Sequence, residues 1–120
     1  MICTTIEQSK RLIELKIDIN TADMCWCEND VITISYIDSL ITECPAWSLS
    51  ALLELIPPYL GEFNEGIDFG FDKAVNGKWY SAHYLQYTKE GIKSIKTVTG
   101  DTAVDAVFEM IVWLKENKKM

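Results

Sequence analysis

Basic residues are scarce in this chain of 120 residues. It contains 11 Lys and Arg and 18 Asp and Glu, which gives a formal net charge of −7 at pH 7. Non-specific binding to nucleic acid requires a basic face, and attraction to an anionic membrane surface requires the same. The chain also contains no apolar run close to the roughly 20 residues that cross a bilayer. We therefore predict no direct electrostatic contact with nucleic acid and no membrane association.

The first residues lack the basic start and the apolar segment of a secretory signal. We therefore expect a cytoplasmic location, where cysteines are usually reduced thiols and not a disulfide framework.

Cys-x-x-Cys pairs are absent, although the chain has four cysteines. Cys25 and Cys27 are two residues apart in a predicted strand, so both sulfur atoms would lie on one face. With Cys3 and Cys44 they would supply four zinc ligands, but structural zinc sites usually have knuckle spacing. The alternative is that all four are small, mildly apolar core residues. We favour this alternative and predict no metal and no cofactor.

Histidine occurs once, at position 83, and no glycine-rich phosphate loop is present. In a strand over residues 79–87, His83 would share a face with Ser81, and the paired strand would add Asp68 and Asp72. This combination suggests a hydrolase. However, no nucleophile elbow surrounds Ser81, and polar side chains alternate outward on half-buried strands without a catalytic purpose. We therefore predict a protein that is not an enzyme, with a hydrolase that uses His83 as a third hypothesis.

Three segments have the capping residues and the periodicity of helices. The first begins at Thr4-Thr5-Ile6-Glu7, which fits a capping box. The second follows Ser48 as N-cap and stops at Pro57-Pro58. The third runs from about Asp101-Thr102 to Asn117. Its apolar residues at helical spacing form a predicted core stripe: Val104, Val107, Phe108, Ile111 and Leu114.

Five segments have the alternation of strands: 24–27, 31–37, 67–72, 79–87 and 92–99. Residues 28–30 predict a hairpin turn. Asn76-Gly77 predicts a two-residue type I′ turn, because both residues tolerate positive φ. The register that follows from this turn places three pairs opposite each other: Phe69 and Tyr84, Gly70 and His83, Phe71 and Ala82.

The predicted order of elements is α-β-β-α-β-β-β-α, which indicates an α+β fold. We expect an antiparallel sheet with two to three helices packed on one face. The chain has no repeat, low-complexity stretch or flexible linker, so we predict a single compact domain over residues 1–120.

Aromatic residues are plentiful, with four Trp, five Tyr and four Phe. Tyr and Trp are favoured at interfaces because they combine apolar area with a polar tip. They are also favoured inside sheets, so both interpretations stay open. Trp26 faces outward if its two neighbouring cysteines face the core. The binding surface that we predict contains five aromatic residues and the histidine: Trp26, Trp79, Tyr80, His83, Tyr84 and Tyr87.

Four stretches, CTTIEQSKRLIEL, TADM, PAWSLSALLELIP and AVDAVFEMIVWLKEN, together resemble an uncharacterised family of small proteins. The family occurs in phages and mobile elements of Bacteroides-like bacteria, and the resemblance spans most of the chain. It implies no assigned activity and no catalytic residue. It implies an accessory protein that acts inside a bacterial host cell.

Two binding hypotheses follow from the resemblance, the charge and the aromatic residues. In the first, the protein binds a protein partner or itself, for example as a homodimer through a sheet edge or the aromatic face. In the second, it binds a small nucleotide-like ligand in a pocket lined by Trp47, Trp79, Tyr80 or Tyr84.

Overall fold

The computed structural model describes residues 2–27, 31–34, 44–61 and 65–120. The helices and strands in these ranges are, in chain order, α1 (Ile6–Glu14), β1 (Met24–Cys27), β2 (Val31–Ile34), β3 (Cys44–Ala46), α2 (Leu49–Leu55), β4 (Tyr59–Leu60), β5 (Ile67–Lys73), β6 (Tyr80–Thr88), β7 (Gly91–Gly100) and α3 (Ala103–Glu116). A short 3-10 helix, Ile19–Thr21, lies between α1 and β1. The predicted turn at 28–30 and the predicted strand end at 35–37 lie outside the described residues.

The α+β class and the predicted order of the main elements are confirmed. The strands belong to two antiparallel sheets, one with the order β2-β1-β3 and one with the order β4-β5-β6-β7. Strand β1 is the central strand of the smaller sheet, paired with β2 on one side and with β3 on the other. The two sheets therefore do not join through β1. The short strands β3 and β4 were not predicted.

Helix α1 has its capping box one residue later than predicted. The Thr5 hydroxyl accepts from the Gln8 N–H at 3.1 Å, and the Gln8 side chain accepts from the Thr5 N–H at 3.0 Å. Thr4 is instead fully buried. Its hydroxyl lies 2.7 Å from that of Ser9 and accepts from the Trp47 N–H at 3.1 Å. Thr4 therefore joins the first segment to the start of α2.

Helix α2 begins as predicted, with Ser48 as N-cap. The Ser48 hydroxyl accepts from the Ala51 N–H at 3.2 Å. The carboxylate of Asp23 accepts from the Ser48 N–H at 2.9 Å and from its hydroxyl. Asp23 therefore holds the cap in place from the segment that precedes β1.

The predicted register of β5 and β6 is confirmed. All three predicted pairs are opposite each other: Phe69 and Tyr84, Gly70 and His83, Phe71 and Ala82.

The predicted type I′ turn at Asn76-Gly77 is wrong. A type I′ turn needs positive φ at both residues, and only Gly77 has it, at 72°. The Ala74 N–H donates to the Trp79 carbonyl at 2.8 Å, so four residues form the loop. The Asn76 side chain accepts from the Lys78 N–H at 2.9 Å. The observed loop is longer than the predicted loop by one residue on each side. The two strands therefore keep the predicted register, although the turn type is different.

Helix α3 agrees closely with the prediction, with Thr102 as N-cap and Asn117 as C-cap. All five residues of its predicted stripe are buried. The helix packs against β6 and β7. One hydrophobic cluster joins it to α1, α2, Trp47, Leu60 and two side chains of β6, Ala82 and Tyr84. This cluster defines the inner face of the four-stranded sheet.

Candidate functional site

The outer face of the four-stranded sheet points away from the hydrophobic cluster, and we call it the open face. Residues that are paired across antiparallel strands share a face. The open face is therefore formed by Tyr59, Asp68, Gly70, Asp72, Ser81, His83, Leu85, Tyr87, Ile92, Ser94, Thr97 and Thr99. Trp79, which is hydrogen-bonded to Ala74 directly before β6, continues the alternation and lies on the same face.

The centre of the open face is polar. The His83 imidazole lies over Gly70, where a Cβ atom would stand only 2.3 Å from Nε2. Nε2 is 3.6 Å from Oδ2 of Asp72, and the two side chains are 13% and 70% exposed. Ser81 lies opposite Asp72 and is buried. The structure therefore brings together Ser81, His83 and Asp72, while Asp68 lies further along the face, opposite Leu85.

The separation of 3.6 Å between His83 and Asp72 fits a long ion pair and exceeds the usual length of a hydrogen bond. A hydrolase would also need a held nucleophile and donors for an oxyanion. The central residues supply a base and a carboxylate, and Ser81 has little access to solvent. The hydrolase hypothesis stays a prediction.

Apolar side chains are exposed toward both ends of the open face. Tyr87 and Ile92 lie directly opposite each other on β6 and β7, and they are 55% and 65% exposed. Trp79, which directly precedes β6, is 43% exposed, and Tyr59 on β4 is 39% exposed. Large apolar side chains grouped on one surface are typical of an interaction site.

An open depression of about 550 Å³ lies beside Trp79. It is lined by Asp72 and Ser81 from the open face and by residues of the β5–β6 hairpin: Lys73, Ala74, Val75, Asn76 and Trp79. Trp79 thus combines an exposed indole with a neighbouring carboxylate. The hairpin that carries them is closed by the hydrogen bond that the Ala74 N–H donates to the Trp79 carbonyl.

Two residues of the predicted binding surface face the core instead. Tyr84 is fully buried, and its hydroxyl donates to the Pro57 carbonyl at 2.6 Å. Burial raises the pKa of this phenol well above its usual value. Tyr80 lies on the inner face, where its ring stacks on Phe71 with a centroid separation of 5.9 Å. Tyr80 and Tyr84 are even-numbered residues of one strand, so both point away from the face that carries Trp79 and Tyr87.

The four residues proposed for a small-ligand pocket do not lie together on one face of the sheet. Trp47 is fully buried, and its indole N–H donates to the Thr21 hydroxyl at 2.9 Å. Tyr84 is also in the core, while Trp79 lies on the opposite side of the sheet. Of the four residues, Trp79 lines the depression beside the β5–β6 hairpin, while Trp47 and Tyr84 do not reach solvent. The small-ligand hypothesis stays a prediction.

Trp26 does not extend the binding surface. It pairs with Cys44 across β1 and β3, and its indole N–H donates to the Thr4 carbonyl at 2.9 Å. The side chain is half-buried against the first segment of the chain. Cys25 faces the interior, as expected, but the opposite face of the strand is covered too.

The three cysteines with described side chains are buried thiols without a disulfide. Cys25 and Cys44 lie on opposite faces of the smaller sheet, because Cys44 is paired with Trp26 and not with Cys25. In the described part of the chain, no three His, Cys, Asp or Glu side chains are placed to hold a metal ion. Burial raises the pKa of the Cys44 thiol, and burial together with the charge of Asp23 raises that of Cys3. Both effects favour the less reactive protonated thiol.

Comparison with protein-family models, with curated proteins and with solved structures found no match to this chain. Among the described helices, none has the length and the apolar character that crossing a membrane requires.

Sequence reasoning missed two of the exposed apolar residues of the open face, Tyr59 and Ile92. Ile92 could have been found, because a short turn at 89–91 places it next to the end of β6 and therefore near Tyr87. Tyr59 had no usable signal, since it lies in a strand of two residues directly after Pro57-Pro58.

Proposed function

We propose that this protein is a non-enzymatic accessory protein that binds another protein chain through the open face. The single observation that carries the proposal is the group of exposed apolar side chains on this face, Tyr59, Trp79, Tyr87 and Ile92. The resemblance of the sequence to small proteins of phages and mobile elements suggests the setting, which is the cytoplasm of a bacterial host. A second copy of this chain is one candidate partner.

The dimensions of the open face favour a reversible complex. Trp79 and Tyr87 are eight residues apart, so a rise of ~3.3 Å per residue separates them by roughly 26 Å. Three strand spacings of ~4.8 Å give a width of about 14 Å and a planar area of roughly 370 Å². A standard interface buries about 800 Å² on each partner. A contact limited to this face is therefore small, and the partner gains affinity if it also reaches a sheet edge.

The strand edges offer that additional contact. Strand β7 is the last strand of its sheet and extends over Gly91–Gly100. An edge strand presents N–H and carbonyl groups that a second chain can use. The β-bulge opposite Tyr84/Leu85 interrupts the regular spacing of these groups, so the pairing would be limited to the part of β7 on one side of the bulge.

The test compares two double variants that each remove two exposed apolar side chains. Tyr87→Ser with Ile92→Ser alters the open face, and Ile2→Ser with Ile19→Ser is the matched control, since Ile2 and Ile19 are 64% and 56% exposed. Circular dichroism first establishes that both variants fold.

Self-association is measured by size-exclusion chromatography with light scattering over a range of concentrations. Other partners are captured from a host that carries the gene, purified, and measured in a two-component binding assay. The proposal expects binding to be lost in the open-face variant and kept in the control. Equal affinity in both variants refutes it. A strict monomer at high concentration removes the second copy as partner.

A further inference from the structure

We propose that the depression beside Trp79 accepts a cationic side chain, with arginine preferred, from the protein that binds the open face. This inference rests on the proposed function, because it names the chemistry of that partner. The occupant is a basic protein segment that lays a guanidinium group between the indole of Trp79 and the carboxylate of Asp72.

The indole supplies the first half of the recognition. Trp79 is 43% exposed, and Trp is the best aromatic partner for a cation that lies over its face. A planar guanidinium stacks on such a ring while its N–H groups stay free for other acceptors. The apolar stem of the same side chain would lie against Val75 and Ala74, which line the depression.

The carboxylate supplies the second half. Asp72 lines the same depression and its side chain is 70% exposed. Within the ranges that the structure describes, its neighbour is Nε2 of His83 at 3.6 Å, which forms an ion pair with it only when the imidazole is protonated. A cation that arrives from solvent can therefore reach the carboxylate.

The charge of the surroundings points to a cation as well. Two carboxylates, Asp68 and Asp72, lie on the open face, and none of its residues, all of which are described, is a Lys or Arg. Lys73 lines the depression, but its ammonium lies 5.7 Å from the ring centroid of Tyr80, on the inner face. With a net charge of −7 for the whole chain, a basic partner would be attracted over a distance of about 8–10 Å at moderate salt.

The test uses short blocked Gly-Ser peptides that carry several arginines, several lysines, or the same number of neutral citrullines. Binding is followed by the indole N–H resonance of Trp79, which is assigned by its loss in Trp79→Leu. The matched pair of variants is Asp72→Asn and Asp68→Asn, because each removes one negative charge from the same face of the same strand.

The arginine peptide is expected to shift the Trp79 resonance, the lysine peptide to bind more weakly and the citrulline peptide not to bind. Asp72→Asn should weaken binding by roughly threefold to fivefold, and Asp68→Asn by less than about 1.5-fold. Trp79→Leu should weaken binding of the arginine peptide by about threefold to fivefold. Because this variant has no Trp79 indole, its binding is measured from the NMR resonances of the peptide. Equal losses in the two Asp variants, or binding of citrulline, would overturn the inference.

Failure of this inference can be told apart from failure of the proposed function. If Tyr87→Ser with Ile92→Ser abolishes partner binding while Asp72→Asn and Trp79→Leu leave it unchanged, the open face binds a protein but not through a cation. If the peptides behave as expected and no partner responds to the open-face variant, the site stands and the proposed function fails.

Discussion

Replacement of Tyr84 by Phe tests whether this residue belongs to the core or to a binding surface. Tyr84 is fully buried and donates to the Pro57 carbonyl at 2.6 Å. The variant keeps the ring and removes only the hydroxyl, so packing is preserved while the hydrogen bond is lost. We expect a loss of stability without a change in partner binding.

The magnitude follows from the surroundings of the two groups. A hydrogen bond contributes about 0.5–1.5 kcal/mol net, and an orphaned buried acceptor costs about 1–3 kcal/mol. Pro57 is only partly buried, so water can reach its carbonyl in part, and we expect a loss of about 1–2 kcal/mol. For a chain of this size the melting temperature would fall by roughly 3–5 °C per kcal/mol.

The effect depends on pH in a defined direction. Burial raises the pKa of Tyr84 above its usual value of about 10. The native state therefore keeps the proton that the unfolded state loses above pH 10. The stabilisation is present in full below about pH 10 and is lost at about 1.4 kcal/mol per pH unit above it. Near pH 11, the free energy of unfolding of the wild-type protein should therefore no longer exceed that of Tyr84→Phe.

Urea unfolding followed by circular dichroism, at pH 7 and at pH 11 under reducing conditions, measures both effects. Tyr87→Phe is the matched control, because Tyr87 is 55% exposed and its hydroxyl is accessible to water. Its stability should change by less than about 0.5 kcal/mol at either pH. If Tyr84→Phe behaves like the control, the assignment of Tyr84 to the core is refuted.

Three further outcomes are expected. Gly100→Ala should lower the free energy of unfolding, measured in urea, by about 2–3 kcal/mol, because a Cβ atom would stand 2.6 Å from the backbone nitrogen of Ala106. A change below about 1 kcal/mol would show that the start of α3 is not held against Gly100. Ser48→Ala should lose about 1 kcal/mol in the same assay through removal of the N-cap of α2. Cys3 and Cys44 should react with iodoacetamide far more slowly in the folded protein than in urea, measured by mass spectrometry of the peptides, since burial raises both pKa values; equal rates would contradict their burial.

Local signals were enough to predict the helices. Each start has a hydroxyl side chain that accepts from the third residue of the helix, and this device is readable from a few neighbouring residues. The error at α1 arose because two threonines, Thr4 and Thr5, stand together. The contact that decides between them is the hydrogen bond from the Trp47 N–H to Thr4, which lies far along the chain and leaves no local pattern.

The division into two sheets had no local signal. Strand β3 contains Pro45, which cannot donate a backbone hydrogen bond and is disfavoured within sheets. Nevertheless it pairs with Cys25 at the edge of the smaller sheet. An edge position tolerates proline, but whether a segment lies at an edge is decided by the whole fold and not by the segment.

Whether a residue of β6 belongs to the open face depends on its parity, that is, on whether its position along the strand is odd or even, and not on the kind of residue. Tyr80, Tyr84 and Tyr87 lie on β6 and Trp79 directly precedes it, yet the period of two divides these residues between a buried side and an exposed side. The same parity, with the register of β5 and β6, predicts that His83 lies opposite Gly70 and on one face with Asp68 and Asp72, and the structure brings it close to Asp72. For the aromatic residues, the same odd–even rule keeps Trp79 and Tyr87 on the candidate surface and assigns Tyr80 and Tyr84 to the core. In a sheet covered on one side, a binding surface is therefore better sought among residues of one parity than among residues of one type.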